Sequence, residues 1–461
     1  MTMWLPDPAA LRRPAYLSLA DQIAHAIADG RLEGGARLPT HRRLAEEMGL
    51  SVQTVSRAYE ELIRRGLVSG ETGRGTYVRT PRREPDPPFL PERLGEVIDL
   101  SILKPVCEPV HLERMKAALV DLAATLPPSA ILSFRPNVVF GRHRSVAVEW
   151  LKNCGLETTP GNVSLTNGAI AAMTIALMAV APPGSTIATE EIGHHTLVPL
   201  ASYLGLGLRG VAIDEEGMLP DALDQACRDG GIRAVFLMPT AINPTASLMG
   251  PARRAEIVEV ARRHDIAIVE NDALGPLVER KAPPLAAIAP ERTLYVTSFT
   301  KCVVPGLRTG YLVAPDRLVP AVTNRHLVTN WMATPLIAEL ATRWVENGTA
   351  MELVRWQRNA VRRRQRIAAE VLDGIPYRAQ SESLHIWLPL GEDRSEQAFV
   401  AQARLQGVAI APGASFAIGP AVRHSAVRIA VGSTTEEDLR AGLGMVTNLL
   451  RSAPEPVLLA I

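Results

Sequence analysis

The sequence predicts two architectures in one chain: a small helical unit closed by a β-hairpin, then a large α/β domain with a mostly parallel sheet. After Glu96, helical patterns alternate with short β-branched runs such as "RAVFLMP", "IAIVEND" and "TLYVTSF", the signature of strand–helix–strand units. The stretch "RTPRREPDPPFLPERLGE", Arg79 to Glu96, is rich in proline and charge and lacks periodicity, so it reads as a semi-rigid linker. Ahead of it lie short amphipathic helical patterns punctuated by glycine. The expected division is therefore 1–78, a linker over 79–96, and 97–461.

In 461 residues there is ample material for several cores, and 47% hydrophobic residues is ordinary for a globular chain. The net charge of +1 divides unevenly. Through Arg83 there are 13 arginines and no lysine against 9 carboxylates, about +4, which leaves −3 for the rest. A nucleic-acid partner is expected at the N-terminal unit. Cys107, Cys154, Cys227 and Cys302 show no metal spacing and read as reduced thiols of a cytoplasmic protein; no metal site is expected. No secretory pattern opens the chain, and the apolar run "AIAAMTIALMAVAPPG" is too short for a membrane span.

In the N-terminal unit, "LADQIAHAIADG" places Ile23, Ala26 and Ile27 on one face and stops at Gly30. "HRRLAEEMG" forms a second helix. Ser51 suits the N-cap of a third, whose apolar stripe is Val55, Ala58, Tyr59, Leu62 and Ile63. Gln53, Thr54, Ser56 and Arg57 lie on its other side near the N-terminal end, where a recognition helix meets base edges. "GLVSGETGRGTYV" reads as a hairpin wing with Arg74 at its tip, placed to meet phosphates or a minor groove. The ordered set "LPTHRRLAEEMGLSVQTVSRAYEELIRRGLV" and "GRGTYV" resembles the winged helix-turn-helix of GntR-type bacterial regulators. That resemblance implies DNA contacts from Arg42, Ser51, Gln53, Thr54, Ser56, Arg74 and Gly75. Val52 stands where many relatives carry arginine.

In the second domain, "TSFTKCVVPGLRTGYLVAP" places Lys301 just beyond a strand and Arg308 seven residues on. A lysine there can form a Schiff base with an aldehyde cofactor, of which pyridoxal 5'-phosphate is the obvious one. Ser298, Thr300 and Arg308 supply hydroxyls and a positive charge for its phosphate. "LTNGAIAAMTIAL" adds a strand, a turn at Gly168 and a helix N-terminus, expected at the opposite end of the sheet unit. With "MPTAINPTA", "IVENDALGPL" and "VRIAVG", these segments resemble, in order, a fold-type I aminotransferase of the class I/II group with a smaller C-terminal α+β subdomain. The resemblance implies that Lys301 is the Schiff-base lysine. It places Gly168, Ala169, Ser298 and Arg308 at the phosphate, Asn243 beside the pyridoxal 3′-oxygen, His194 stacked on the ring, and Arg428 on a substrate carboxylate.

The departures from that family bear on chemistry. Asn271 stands where an Asp usually faces the pyridine nitrogen, and Leu274 where a Tyr bonds the 3′-oxygen. Asp272 is adjacent and stands with Asn271 among the candidate cofactor contacts, although strand alternation would aim it elsewhere. Ile170 replaces a common polar residue, and Ala246 a glycine.

A GntR-like head on an aminotransferase-like body is identified as the MocR subfamily of transcriptional regulators. Membership implies pyridoxal phosphate sensing, an amino-compound effector exchanging at Lys301 with its acidic group on Arg428, operator DNA, a head-to-tail homodimer and a nucleoid location when bound to DNA. The linker, if extended, reaches on the order of 50 Å, enough for such a crossing. Two other readings stand beside the regulator: a working aminotransferase carrying a DNA-binding module, and a cofactor-free scaffold.

Overall fold

The computed structural model describes residues 4–33, 35–65, 67–71, 75–78, 97–135, 140–391, 394–419 and 425–452. The expected linker 79–96 and the wing-tip residue Arg74 lie outside the described residues. The chain separates into two compact units, Met1–Leu90 and Pro91–Ile461.

In the first unit, α1 (Ala15–Ala28), α2 (His41–Met48) and α3 (Val52–Arg64) precede a hairpin of β1 (Val68–Glu71) and β2 (Gly75–Val78). Thr40 caps α2, and Gly49, at φ 62°, ends it in the left-handed conformation. Ser51 caps α3, its hydroxyl accepting from the Thr54 N–H at 3.1 Å. Leu19, Ile23, Ala26, Leu44, Val55, Ala58, Tyr59 and Leu62 form the core. Ile63 departs from the expected stripe: it is 43% exposed, because one residue beyond Leu62 turns it about 100° round the helix, past the edge of the packed face. β1 and β2 pair antiparallel, and an isolated bridge joins Arg37 to Tyr77.

In the second unit the strands are β3 (Ile98–Asp99), β4 (Val163–Thr166), β5 (Thr186–Glu190), β6 (Gly207–Val211), the small hairpin β7 (Ile213–Asp214) and β8 (Gly217–Met218), β9 (Ile232–Leu237), β10 (Ala267–Asn271), β11 (Thr293–Ser298) and β12 (Gly310–Val313). Seven form the main sheet in the order β4-β12-β11-β10-β9-β5-β6. Neighbours are parallel except β12, which runs antiparallel to β11 and β4. Strands β10, β11 and β12 are buried along their whole length, which is why their sequences read as continuous apolar runs rather than alternating ones.

A smaller layer follows. β13 (His385–Pro389), β15 (Ala411–Pro412) and β16 (Ala426–Ala430) form an antiparallel sheet in the order β13-β16-β15. The helices Thr349–Val371, Glu396–Leu405 and Glu436–Arg451 contribute to its separate core around Leu388, Val427, Leu443 and Val446. The short β14 (Val408–Ala409) pairs parallel with β3, so the chain enters this unit along the smaller layer.

Candidate functional site

Lys301 closes a one-turn 3-10 segment, Phe299–Lys301, that leaves the end of β11. Its amine donates to the Leu103 carbonyl. Burial, then the nearby charges of Arg428 and Arg308, push its pKa down to about 8, so the neutral, nucleophilic form is accessible near physiological pH.

A cradle lies beside it. Gly168, at φ 87°, precedes the helix Ala169–Val180, whose first N–H groups have no helical partner. A Cβ on Gly168 would sit 3.2 Å from Arg308 Nη2 and 3.3 Å from its Cζ, so a side chain here would press on the guanidinium besides straining the left-handed backbone. Arg308 itself takes a left-handed backbone, φ 46°. The Ser298 and Thr300 hydroxyls are buried without a partner. The expected placement of these pieces at opposite ends of the sheet unit is corrected: Ser298 pairs with Gly310, and Gly310 with Thr166, so they lie on three neighbouring strands. The antiparallel β12 folds back between the other two and brings Arg308 to Gly168.

Asn271 ends β10, buried; its amide oxygen accepts from the Ala273 N–H at 3.3 Å and its amide nitrogen lies 3.4 Å from Met173 Sδ. Asp272, considered above as a cofactor contact, is turned away from that role. Its carboxylate accepts from Lys281 Nζ at 2.5 Å and from the Tyr295 hydroxyl at 2.8 Å. Adjacent residues at a strand end point to opposite sides, so one of the pair is committed to a buried ion pair. Leu274 is in the main core. Ala246 adopts φ 57°, a conformation that glycine takes without cost. Ile170 is 46% exposed on the helix after Gly168.

Arg428, on β16, is 1% exposed. Its Nη1 donates to Asn243 Oδ1 at 2.9 Å, its Nη2 to the Ser101 carbonyl, and its guanidinium lies 4.9 Å from the centre of the Phe416 ring. Its Nε has no partner. Three histidines add to the surroundings. His194 stacks on His195 at 5.2 Å and pairs with the Thr196 hydroxyl at 2.6 Å; His385 is buried and pairs with the Ile242 carbonyl at 3.0 Å. All three are held neutral. Burial dominates, and nearby positive charge adds to it: His194 lies well below its ordinary value, His195 near about 4 and His385 near about 3. His195, His385 and the carbonyls of Ser101 and Leu103 were not anticipated from sequence. Only the "HH" pair carried a visible signal.

In the first unit, Arg42, Val52 and Gln53 are exposed at the starts of α2 and α3. Ser51 and Thr54 share a 2.8 Å hydroxyl contact, and Ser56 pairs with His41 at 3.2 Å. Arg57 is exposed, with its guanidinium 4.2 Å from the centre of the Tyr16 ring. Gly75, at φ 118°, begins β2 where a Cβ would lie 2.9 Å from Arg37 Nε.

The profile of aminotransferase class I and II matches residues 123–445. The chain belongs to that family. Residues 15–78 match the bacterial regulatory proteins of the gntR family, and the two together are the composition of a MocR-type transcriptional regulator. Similarity to transcriptional regulators extends over most of the chain. An uncharacterized HTH-type transcriptional regulator of Bacillus subtilis, YdeF, is 27% identical over 97% of this chain and 96% of its own. The pyridoxine biosynthesis transcriptional regulator PdxR of Corynebacterium glutamicum is 24% identical, covering 78% of this chain and 79% of its own. The vitamin B6 salvage pathway transcriptional repressor PtsJ of Salmonella typhimurium is 29% identical, covering 65% and 67%. In fold, an archaeal alanine:glyoxylate aminotransferase superposes with a TM-score of 0.71 at 19% identity, over 77% of this chain and 91% of that one. Pyridoxal phosphate is the cofactor of the MocR-type body, and the residues present fit it: two orphaned hydroxyls, an arginine against a glycine turn, a helix N-terminus and a depressed lysine. Among the described residues no helix is long and apolar enough to cross a membrane.

Proposed function

We propose that this MocR-type regulator reads an amino compound at the Lys301 site and converts its binding into a change in operator occupancy. The buried, unpartnered hydroxyls of Ser298 and Thr300 beside Arg308 carry this reading, because such groups are costly unless an anion completes them. Pyridoxal phosphate supplies an aldehyde that condenses with amines. Lys301 would hold it covalently; Ser298, Thr300, Arg308 and the N–H groups at Gly168 and Ala169 would take the phosphate. Asn243 would flank the ring, and His194, kept uncharged, would lie on it. Arg428 offers a two-pronged fork to an effector's acidic group.

Asn271 argues against efficient transamination. An amide cannot supply the negative charge that keeps a pyridine nitrogen protonated, and Asp272 is committed to Lys281 and Tyr295. Transaminase activity is therefore weak or absent. A working aminotransferase carrying a DNA-binding head is the rival reading.

The functional unit is a head-to-tail homodimer at work on DNA in the bacterial cytoplasm. Exposed apolar side chains support a partner surface: Leu119 and Val120 on the helix Pro109–Thr125, Leu132, and Phe134, which stacks on Trp331 at 5.0 Å.

The test is binding of the full chain to DNA from upstream of its own gene, with and without pyridoxal phosphate and a panel of amino compounds. A ligand-dependent change in affinity is expected. Rapid amino-group transfer with no effect on DNA binding would favour the enzyme.

A further inference from the structure

We infer that the segment Ile98–Val106 is the strap through which ligands at the Lys301 site act on the DNA-binding head, by competing with its backbone carbonyls for Lys301 and Arg428. The inference rests on the proposed ligand site and adds a route out of it. Residues 79–96 join this segment to the head in sequence.

The strap is pinned at both ends. At its start, the Ile98 N–H donates to the Gly407 carbonyl and the Leu100 N–H to the Ala409 carbonyl, both at 2.8 Å. The Ala430 N–H donates to the Leu100 carbonyl at 2.7 Å, and Leu100 packs in the smaller layer's core. At its end, Val106 packs in the main core, and the side-chain amide of Gln357 lies 2.7 Å from the Val106 nitrogen and 2.9 Å from its carbonyl oxygen. The strap thus crosses from one layer to the other.

Its middle is fastened differently. Among the described residues, the carbonyls between Ser101 and Lys104 that accept hydrogen bonds are those of Ser101 and Leu103. Their donors are Arg428 and Lys301, the two cations that the ligands would engage. Asp99, Ile102 and Lys104 of the strap line a half-open cavity of about 780 Å3 together with Arg364, Thr435 and Glu436, which gives the middle room to move.

A neutral carbonyl is the weaker partner for either cation. A carboxylate forms a charge-assisted bond to a guanidinium and takes both prongs of the fork. Covalent capture of Lys301 removes two of its three donor hydrogens and ties the nitrogen elsewhere. Each event leaves a strap carbonyl without its donor, which favours an arrangement in which the middle lifts toward the cavity. The ligand acts on the head only to the extent that it binds this lifted form better.

The experiment is hydrogen exchange by mass spectrometry on the full-length protein, alone and with pyridoxal phosphate, whose attachment is followed in parallel by absorbance. We expect peptides covering 97–107 to exchange at least tenfold faster in the loaded protein, with β11 unchanged. Lys301→Ala should show the fast exchange without ligand and no further change on adding it. Its affinity for the upstream DNA should move toward that of loaded wild type. Attachment with unchanged exchange over 97–107 would overturn the strap and leave the ligand site standing. A failure of attachment in wild type would remove both. If Lys301→Ala folds poorly, Lys301→Gln, which keeps a donor for the Leu103 carbonyl, serves instead: it should retain slow exchange, and fast exchange there would count against the strap.

Discussion

Arg428 Nη1 lies 2.9 Å from Asn243 Oδ1, so two residues far apart in sequence fix one guanidinium in a buried position. The amide holds the fork in place while its Nε stays unpartnered. Arg428→Gln should weaken binding of amino compounds that carry a carboxylate by about 1.5–3 kcal/mol, roughly 10- to 100-fold. Amines without an acidic group should bind as before. Absorbance titration of cofactor-loaded protein with matched pairs of ligands checks this.

Lys301 should capture pyridoxal phosphate with a rate that rises as pH climbs to about 8 and then levels, because only the neutral amine attacks. Arg428→Gln should move the midpoint upward: a positive neighbour disfavours the ammonium form, and removing it restores basicity. Borohydride trapping and mass spectrometry across a pH series measure both. Lys301→Ala should leave no trapped adduct, and a persistent adduct would move the covalent role to another residue.

On DNA, Gln53→Ala should relax sequence preference by about 1–3 kcal/mol at one position. Arg42→Ala should weaken binding to all sequences and reduce the salt slope by about 1. Ser51→Ala should differ from both, lowering the melting temperature as well, since the Ser51 hydroxyl caps α3; the loss is about 1 kcal/mol. Fluorescence anisotropy at several salt concentrations, paired with thermal melts, separates the three.

Asn271→Asp should increase amino-group transfer to the bound cofactor. The new carboxylate would lie where Asn271 now meets Met173 Sδ, a poor partner for a charge, so the variant should also melt somewhat earlier than wild type unless the cofactor is present. Single-turnover spectra with several amino acids provide the measurement. Wild-type conversion at roughly 1 per second or faster, as for ordinary enzymes, would overturn the weak-activity reading.

Lys301, Arg308, Ser298 and Gly168 were legible in the sequence because the chemistry demands particular residue types within short segments. Asp272's divergence from Asn271 was also legible, since strand alternation alone separates neighbours. The carbonyls of Ser101 and Leu103 were not, because every residue carries one and only the fold selects which meets a cation. His385 was invisible for a related reason: a lone histidine on a strand gives no sign that it will pair with the Ile242 carbonyl. The stacking of Arg57 on Tyr16 was not legible either, because helical position alone does not show where a long side chain lies back on a ring. Ile63 shows how a stripe drawn one residue too wide passes for core.

The uncharged state of His194, His195 and His385 has an effect beyond the reach of any one of them. Imidazoles ordinarily change charge across the range that cells traverse, yet here they ionise far below it. With Lys301 titrating only near about 8, these groups keep a constant total charge from about pH 5 to 7. On the protein's side, the imidazoles add nothing to the site's response to acidity over that range, and what response there is comes from other groups, Lys301 among them.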